Sequence, residues 1–305
     1  MYEHYYGLSG LPFQLTPDSR FFYASPGHRR ALSHLVYGLE QQEGFVVITG
    51  EVGAGKTTLV ELLWAHLDRG AFTIARVNTT LVSGHDLLRL VGAGFGVEEA
   101  SDKASLIVQI ESRLRALRVA KRRALLVVDE VQGLALAGLE ELRMISNLAD
   151  QSRPLLQIIL LGQPEFRQTL ARPQLNQLRQ RVLASYHLGP LSADETRAYI
   201  EHRLAKVGWR GRPHFEAMAF LLIHRHTGGI PRKINRLCSR LLLQGALQTD
   251  DLITAVAVEE TAAELESDIG AETASTPAEG EGGRIEALQS KLERLFDFLG
   301  VGRGG

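Results

Sequence analysis

The residues Gly50-Glu51-Val52-Gly53-Ala54-Gly55-Lys56-Thr57 lie between the apolar run Phe45-Val46-Val47-Ile48 and the helix-period stretch Leu59-Val60-Glu61-Leu62-Leu63. An apolar run of strand length, a glycine-rich turn and a helix, in that order, leave few folds open, because such a strand has to be buried on both faces. The glycines let the turn curl into a nest of backbone N–H groups, and the following helix points its positive end at the same place. The pattern predicts a cradle for the phosphates of a nucleoside triphosphate. Gly50, Glu51, Val52, Gly53, Ala54 and Gly55 supply the loop, Lys56 reaches the β- and γ-phosphates, Thr57 ligates Mg²⁺, and Thr58 adjoins it in the first helical turn. A glycine-rich turn that holds no nucleotide is the competing reading, and the strand before and helix after it speak against that.

A second apolar run, Ala124-Leu125-Leu126-Val127-Val128, ends abruptly in Asp129-Glu130. Carboxylates at the C-terminal end of a parallel strand face the crevice where such sheets bind ligands. Asp129 is then the metal-side residue and Glu130 the base that polarises the attacking water. The segment Leu160-Leu161-Gly162-Gln163 brings Gln163 to the same edge, where its amide either orients the lytic water or satisfies turn backbone groups; Asn147 is the second candidate for the catalytic role. Arg181, with Arg179 as second choice, is read as an arginine presented to a neighbouring subunit's phosphate, against the alternative of surface charges on an exposed helix. Arg232 falls in the first turn of a helix begun by Gly228-Gly229-Ile230-Pro231, where a cation opposes the helix dipole, which suggests contact with phosphate instead.

Alternating strand and helix patterns up to about residue 190 imply a parallel sheet covered on both faces. Strands read at 72–78, 124–128, 155–161 and 184–188, and helix-period stretches at 84–95, 103–120, 137–150 and 165–182. Ser25-Pro26 reads as an N-cap and first-turn proline opening a helix to about Gln41. Beyond Ala193 the pattern is helical throughout, at 193–207, 214–227, 231–247 and 252–266. The expected division is an aromatic segment at 1–25 packing on the core, an α/β nucleotide-binding domain at 26–190, a helical lid at 191–266, an acidic flexible linker at 267–282 and an amphipathic helix at 283–300. That last helix places Ile285, Leu288, Leu292, Leu295 and Leu299 on one face, for folding back onto the body or for docking a partner.

The net charge of −1 conceals a segregation: 192–245 holds ten Lys/Arg against four Asp/Glu, whereas 250–281 holds ten acidic residues and no basic one. The single cysteine, Cys238, excludes a disulfide within the chain and fits a reducing cytoplasm. No apolar run approaches the roughly 18 residues of a membrane helix, so a membrane role would be peripheral, at the inner membrane.

With these residues in place the chain resembles AAA+ ATPases of the ExeA/GspA-like group, and most closely those associated with exosortase/PEP-CTERM and exopolysaccharide export systems. The resemblance covers about residues 2–250 and rests on Tyr6-Gly7-Leu8, Pro12-Phe13-Gln14-Leu15-Thr16-Pro17-Asp18, Glu43 to Gly50, Glu141 to Asn147, Leu161 to Phe166, Leu178-Arg179-Gln180-Arg181 and Gly228 to Arg232. It implies an α/β AAA+ P-loop fold with a five-stranded parallel sheet, a helical lid and a C-terminal helix. It further implies Walker A at Gly50–Thr57, Walker B at Asp129-Glu130, sensor 1 at Gln163, an arginine finger around Arg181 and sensor 2 at Arg232. Where the family follows its acids with Ala-Gln-Asn, Val131-Gln132-Gly133 stands here. The same resemblance places the aromatic N-terminal segment near the adenine, with His28 and Tyr37 as candidates.

The implied function is hydrolysis of ATP with Mg²⁺ to drive or regulate an envelope export assembly. The implied partners are further copies of the chain in an ATP-dependent homo-oligomer such as a hexamer, and secretion or polysaccharide-export proteins. The competing reading is an ATP-dependent DNA-binding regulator of the transposition type, which the basic lid permits and the pI of 6.8 and acidic tail disfavour. A third is a scaffold that binds ATP without turnover, against which Glu130 speaks.

Overall fold

A computed structural model describes residues 2–16, 18–68, 70–78, 84–98, 102–151 and 153–274. The chain opens with helix α1 (Tyr2–Tyr6), a 3-10 turn at Ser19–Phe21 and helix α2 (Pro26–Gln41). As expected, Ser25 caps α2, its Oγ accepting from the His28 N–H at 3.2 Å, with Pro26 in the first turn. Strand β1 (Phe45–Gly50) and helix α3 (Lys56–His66) flank the glycine-rich loop. There follow β2 (Phe72–Asn78), α4 (Gly84–Gly94), α5 (Lys103–Val119), β3 (Arg123–Asp129) and α6 (Leu136–Ile145). A small hairpin, β4 (Ala149–Asp150) with β5 (Arg153–Pro154), leads to β6 (Leu156–Gly162), α7 (Glu165–Leu170), α8 (Asn176–Arg179) and β7 (Val182–Leu188). The remaining described residues are helical except for a short strand pair: α9 (Ala193–Ala205), β8 (His214–Phe215), α10 (Ala217–Thr227), α11 (Pro231–Gln248), β9 (Leu252–Ile253) and α12 (Ala255–Ala274).

Five parallel strands form one sheet in the order β2-β3-β6-β1-β7. Successive side chains of a strand face opposite sides, and both sides here are covered. Phe45 and Val47 join Leu126, Val128, Ile158 and Leu160 in a core with Leu87, Ile110 and Leu142 of the helices on that face. Val46 and Ile48 join Leu125, Val127, Ile159 and Leu161 in a second core with Leu35 of α2 and Leu59 of α3. This is why β1, β3 and β6 read as apolar runs, while the edge strands β2 and β7 carry exposed polar residues. The C-terminal ends of β1, β3 and β6 share one edge, and the glycine-rich loop, Asp129 and Gln163 all leave the sheet there.

Several boundaries differ from the sequence reading. The helix expected at 165–182 is broken into α7, a 3-10 turn at Pro173–Leu175 and α8, because Pro173 has no N–H to give a continuing helix. The helix expected at 137–150 stops at Ile145, and Ala149-Asp150 pairs back onto Arg153-Pro154. The expected linker at 267–282 begins too early: α12 continues to Ala274, since its alanine- and glutamate-rich composition carries high helix propensity that acidity alone does not reveal. The rest of that linker and the helix expected at 283–300 lie outside the described residues.

The aromatic segment also packs differently. Instead of resting on the sheet domain alone, α1 lies on α11, with Tyr6 donating its hydroxyl to the Asp250 carbonyl at 3.1 Å and Ser9 N–H donating to the Val207 carbonyl. The turn at Ser19–Phe21 meanwhile reaches α3. The segment thus bridges lid and sheet, which belong to one compact unit, Met1–Val258. In the second unit, which begins at Glu259, the described part is the remainder of α12.

Candidate functional site

The loop after β1 depends on backbone conformations that favour glycine. Gly53 has φ +83° and Gly55, the N-cap of α3, φ +100°. Neighbours close on both: a Cβ on Gly53 would lie 2.3 Å from Arg232 Cβ, and one on Gly55 would lie 2.9 Å from His28 Nε2. The Arg232 N–H donates to the Gly53 carbonyl at 3.2 Å. The loop is therefore gripped by α2 on one side and by the first turn of α11 on the other. His28 is buried, its Nδ1 2.8 Å from Ser25 Oγ, and burial lowers its imidazole below the ordinary value, which favours the neutral ring.

Lys56 is 5% exposed and donates Nζ to the carbonyls of Gly50 at 2.7 Å and Glu51 at 3.1 Å. Burial lowers its pKa, and the carboxylates of Glu130 and Asp129 oppose that shift. The result is a cation held against the loop at the N-terminal end of α3, suited to phosphate.

Thr57 Oγ1 donates to Asp129 Oδ2 at 2.8 Å, and the Asp129 side chain is buried. One hydroxyl and one carboxylate on adjacent strand and helix ends suit Mg²⁺, which takes few protein ligands and completes its shell with phosphate and water. Among the described residues no cluster of three or more His, Cys, Asp or Glu could hold a metal ion by itself. Arg76 of β2 donates Nη2 to the same Asp129 oxygen at 3.1 Å and pairs with Glu61. Glu130 begins a 3-10 turn from a left-handed backbone, φ +56°. Its Oε2 accepts from Gln163 Nε2 at 3.2 Å and from Gln132 Nε2, while Gln132 Oε1 accepts the Gln163 N–H at 3.0 Å. A carboxylate so placed, beside the loop and the Thr57–Asp129 pair, is suited to polarising a water.

A cavity of about 380 Å³ extends from the loop between the N-terminal segment and the lid, within the range of small-ligand sites. Phe22, Tyr23 and His28 line it from below, Tyr199 and Asn235 from the lid, and Arg232 reaches its phosphate end. Buried Arg203 ties the two walls together: Nε donates to the Pro12 carbonyl, Nη1 to Tyr199 Oη at 2.9 Å, and its guanidinium lies 4.7 Å from the Phe21 ring centre. Tyr199 in turn donates to Asn235 Oδ1 at 2.8 Å. The cavity is aromatic where a base would stack and cationic where phosphates would end.

The structure brings together the glycine-rich loop, Thr57, Thr58, Asp129, Glu130, Gln163 and Arg232. Asn147 is exposed after α6 and Tyr37 is exposed on α2, neither among the cavity residues. Arg181 precedes β7 at the opposite edge: Val182 pairs with Phe45 and Leu188 with Gly50, so a strand length, about 20 Å, separates it from its own loop. Its Nη1 donates to the Ser146 carbonyl and hydroxyl at 3.2 and 3.3 Å. Arg179 is exposed and bonded to the Ala171 carbonyl and Asn176 Oδ1. Gln132, Arg76 and Arg203 escaped the sequence reading. For Gln132 the signal was present, two residues beyond Glu130 in the turn; for Arg76 and Arg203 only the fold supplies it.

Residues 39–170 match the AAA domain family. The chain is 40% identical over 245 residues to general secretion pathway protein A of Aeromonas hydrophila, covering 80% of this chain and 44% of that protein, so it spans less than half of that relative's length. Among solved structures, Cdc6p from Pyrobaculum aerophilum gives a TM-score of 0.62 at 16% identity, over 78% of this chain and 68% of that one. The Aeropyrum pernix ORC1 protein in complex with DNA gives 0.61 at 17% identity, over 81% and 66%. The Holliday junction branch migration motor RuvB of Thermotoga maritima gives 0.52 at 18%, over 77% and 67%. At such identities the likeness is of fold, the α/β AAA+ arrangement of a five-stranded parallel sheet followed by helices.

Proposed function

We propose that this chain, an AAA-domain P-loop ATPase related to general secretion pathway protein A, hydrolyses ATP with Mg²⁺ to drive or regulate assembly of an envelope export system for protein or exopolysaccharide. The observation that carries this reading is the contact of Arg232 with the phosphate loop. The lid helix α11 begins on the Gly53 carbonyl, so loss of the γ-phosphate is felt at the start of a lid element that continues for 18 residues. In this reading Glu130 activates water, Gln163 senses the γ-phosphate, Thr57 and Asp129 hold Mg²⁺, and ATP binds at subunit interfaces. The secretion role follows the name of the relative, and the exopolysaccharide role follows the sequence resemblance.

Of the lid cations, Arg203 is buried and bonded to Pro12 and Tyr199, whereas Arg197 and Arg212 are exposed and pair with Glu201 and Asp251 at the surface. The exposed Lys206, Arg210, Arg225, Lys233, Arg236 and Arg240 permit the DNA-regulator reading, which the pI of 6.8 and the acidic residues after Thr249 disfavour.

Arg181 cannot serve its own loop across the sheet, so its proposed role is in a neighbour's site. Mixing Arg181→Ala with Lys56→Ala protein should recover ATPase activity that neither has alone, because a mixed interface pairs an intact loop with an intact arginine. No recovery at any ratio, with oligomers present by light scattering, would remove Arg181 from the site. Truncation after Ala274 should leave ATP affinity within about threefold, a difference under 1 kcal/mol, while altering oligomer size or membrane-fraction recovery. Loss of ATP binding on truncation would place the tail in the site, and DNA binding gained by truncation would favour an autoinhibited regulator.

A further inference from the structure

The geometry points to Gln132 as a positioning residue for ATP hydrolysis, holding Glu130 and Gln163 as one hydrogen-bonded unit. This rests on the reading of Glu130 as the water-activating carboxylate. Both ends of the Gln132 amide are used: Nε2 donates to Glu130 Oε2, and Oε1 accepts the Gln163 backbone N–H at 3.0 Å. Gln163 Nε2 closes the loop on the same Glu130 oxygen at 3.2 Å. Residues from the ends of two neighbouring strands, β3 and β6, thereby become one network.

The local backbone is built to present this amide. Glu130 sits at φ +56°, an uncommon conformation for a residue with a Cβ, and the turn that follows closes with the Gly133 N–H on the Glu130 carbonyl at 2.9 Å. Val131 is fully buried and anchors that turn in the core. Position 162 is confined as well: a Cβ there would lie 2.8 Å from Val131 Cγ1 and 3.4 Å from Gln132 Oε1. The turn thus folds the side chain of residue 132 back over the carboxylate two residues earlier. A base that must take a proton along one direction works when its plane is fixed, and misplacement of about 1 Å costs on the order of 100-fold in rate. Gln132 and Gln163 supply that fixation together, both through Glu130 Oε2.

A purely architectural role is the alternative, with Gln132 needed only to accept the Gln163 N–H. Gln132→Glu separates the two, because it keeps the acceptor but removes the donor to Glu130 and sets a second carboxylate against it. Gln132→Leu removes both. Each variant, alone and combined with Glu130→Gln, is measured for kcat, ATP affinity and thermal unfolding. The expected result is a fall in kcat of about 30- to 100-fold for either change, with ATP affinity within about threefold. In the Glu130→Gln background neither change should lower the residual rate further, because groups that act as a unit are non-additive.

Gln132→Glu turning over at the wild-type rate, while Glu130→Gln is slow, would overturn the role of Gln132 alone. So would an equal fractional loss in both backgrounds. Glu130→Gln at the wild-type rate would overturn the base assignment and this proposal with it. Should Gln132→Leu fail to fold, the Gln132→Glu pair of measurements decides the matter.

Discussion

Lys56→Ala is expected to lower ATP affinity by about 100-fold or more, equivalent to about 2.7 kcal/mol. Lys56 is 5% exposed, and its ammonium is already within hydrogen-bond distance of the Gly50 and Glu51 carbonyls at the loop's mouth. Charge-assisted hydrogen bonds contribute about 1.5–3 kcal/mol each, and a triphosphate offers two phosphates within reach of one lysine. No other side chain in the loop carries positive charge. The same truncation leaves two backbone carbonyls without this donor, costing about 1–3 kcal/mol of stability if they stay buried. Affinity is therefore measured by calorimetry on protein confirmed folded by its melting curve, with Lys56→Met retaining most of the stem. ATP affinity within about threefold of wild type in both variants would contradict the loop as the phosphate site.

Much of this site was legible because its parts sit at strand ends. A buried strand that stops at Gly50, Asp129 or Gly162 announces where the crevice lies, and the residues just beyond it follow. The central strands β1, β3 and β6 were legible for the same reason, since burial on both faces leaves an apolar run. The edge strands β2 and β7 carry exposed Arg76, Ser185 and His187 and read only through their alternation with helices. The places where the sequence misled are those where local pattern and tertiary setting part company. Helical spacing continues through Pro173, but the backbone cannot follow it. The acidic, small-residue composition after Glu266 reads as a linker, yet the helix persists to Ala274.

The aromatic residues of the N-terminal segment were recognised as packing residues, but not their partner. Tyr2 and Tyr6 gave no sign that α1 would rest on α11. Nor could a lone Arg203 among ten lid cations be singled out, since its distinction is to be buried beneath Phe21 and Pro12, far away in sequence. Arg76 was hidden in the same way. Its guanidinium meets Asp129 only because β2 and β3 pair in a register that sets Asn78 beside Asp129.

The central claim is that Glu130 activates the water at a site assembled from β1, β3, β6 and the lid. Glu130→Gln is nearly isosteric and keeps an oxygen to accept from Gln132 and Gln163, while Lys56, Thr57 and Asp129 are untouched. It removes only the capacity to take a proton. General-base catalysis contributes about 100- to 10,000-fold, so hydrolysis should fall by that order while ATP binding is retained. Single-turnover hydrolysis of preloaded ATP in Glu130→Gln, beside direct measurement of ATP affinity, tests this without interference from product release. The expected result is tight ATP and a chemical step slowed at least about 100-fold; hydrolysis at the wild-type rate with ATP bound normally would contradict the account.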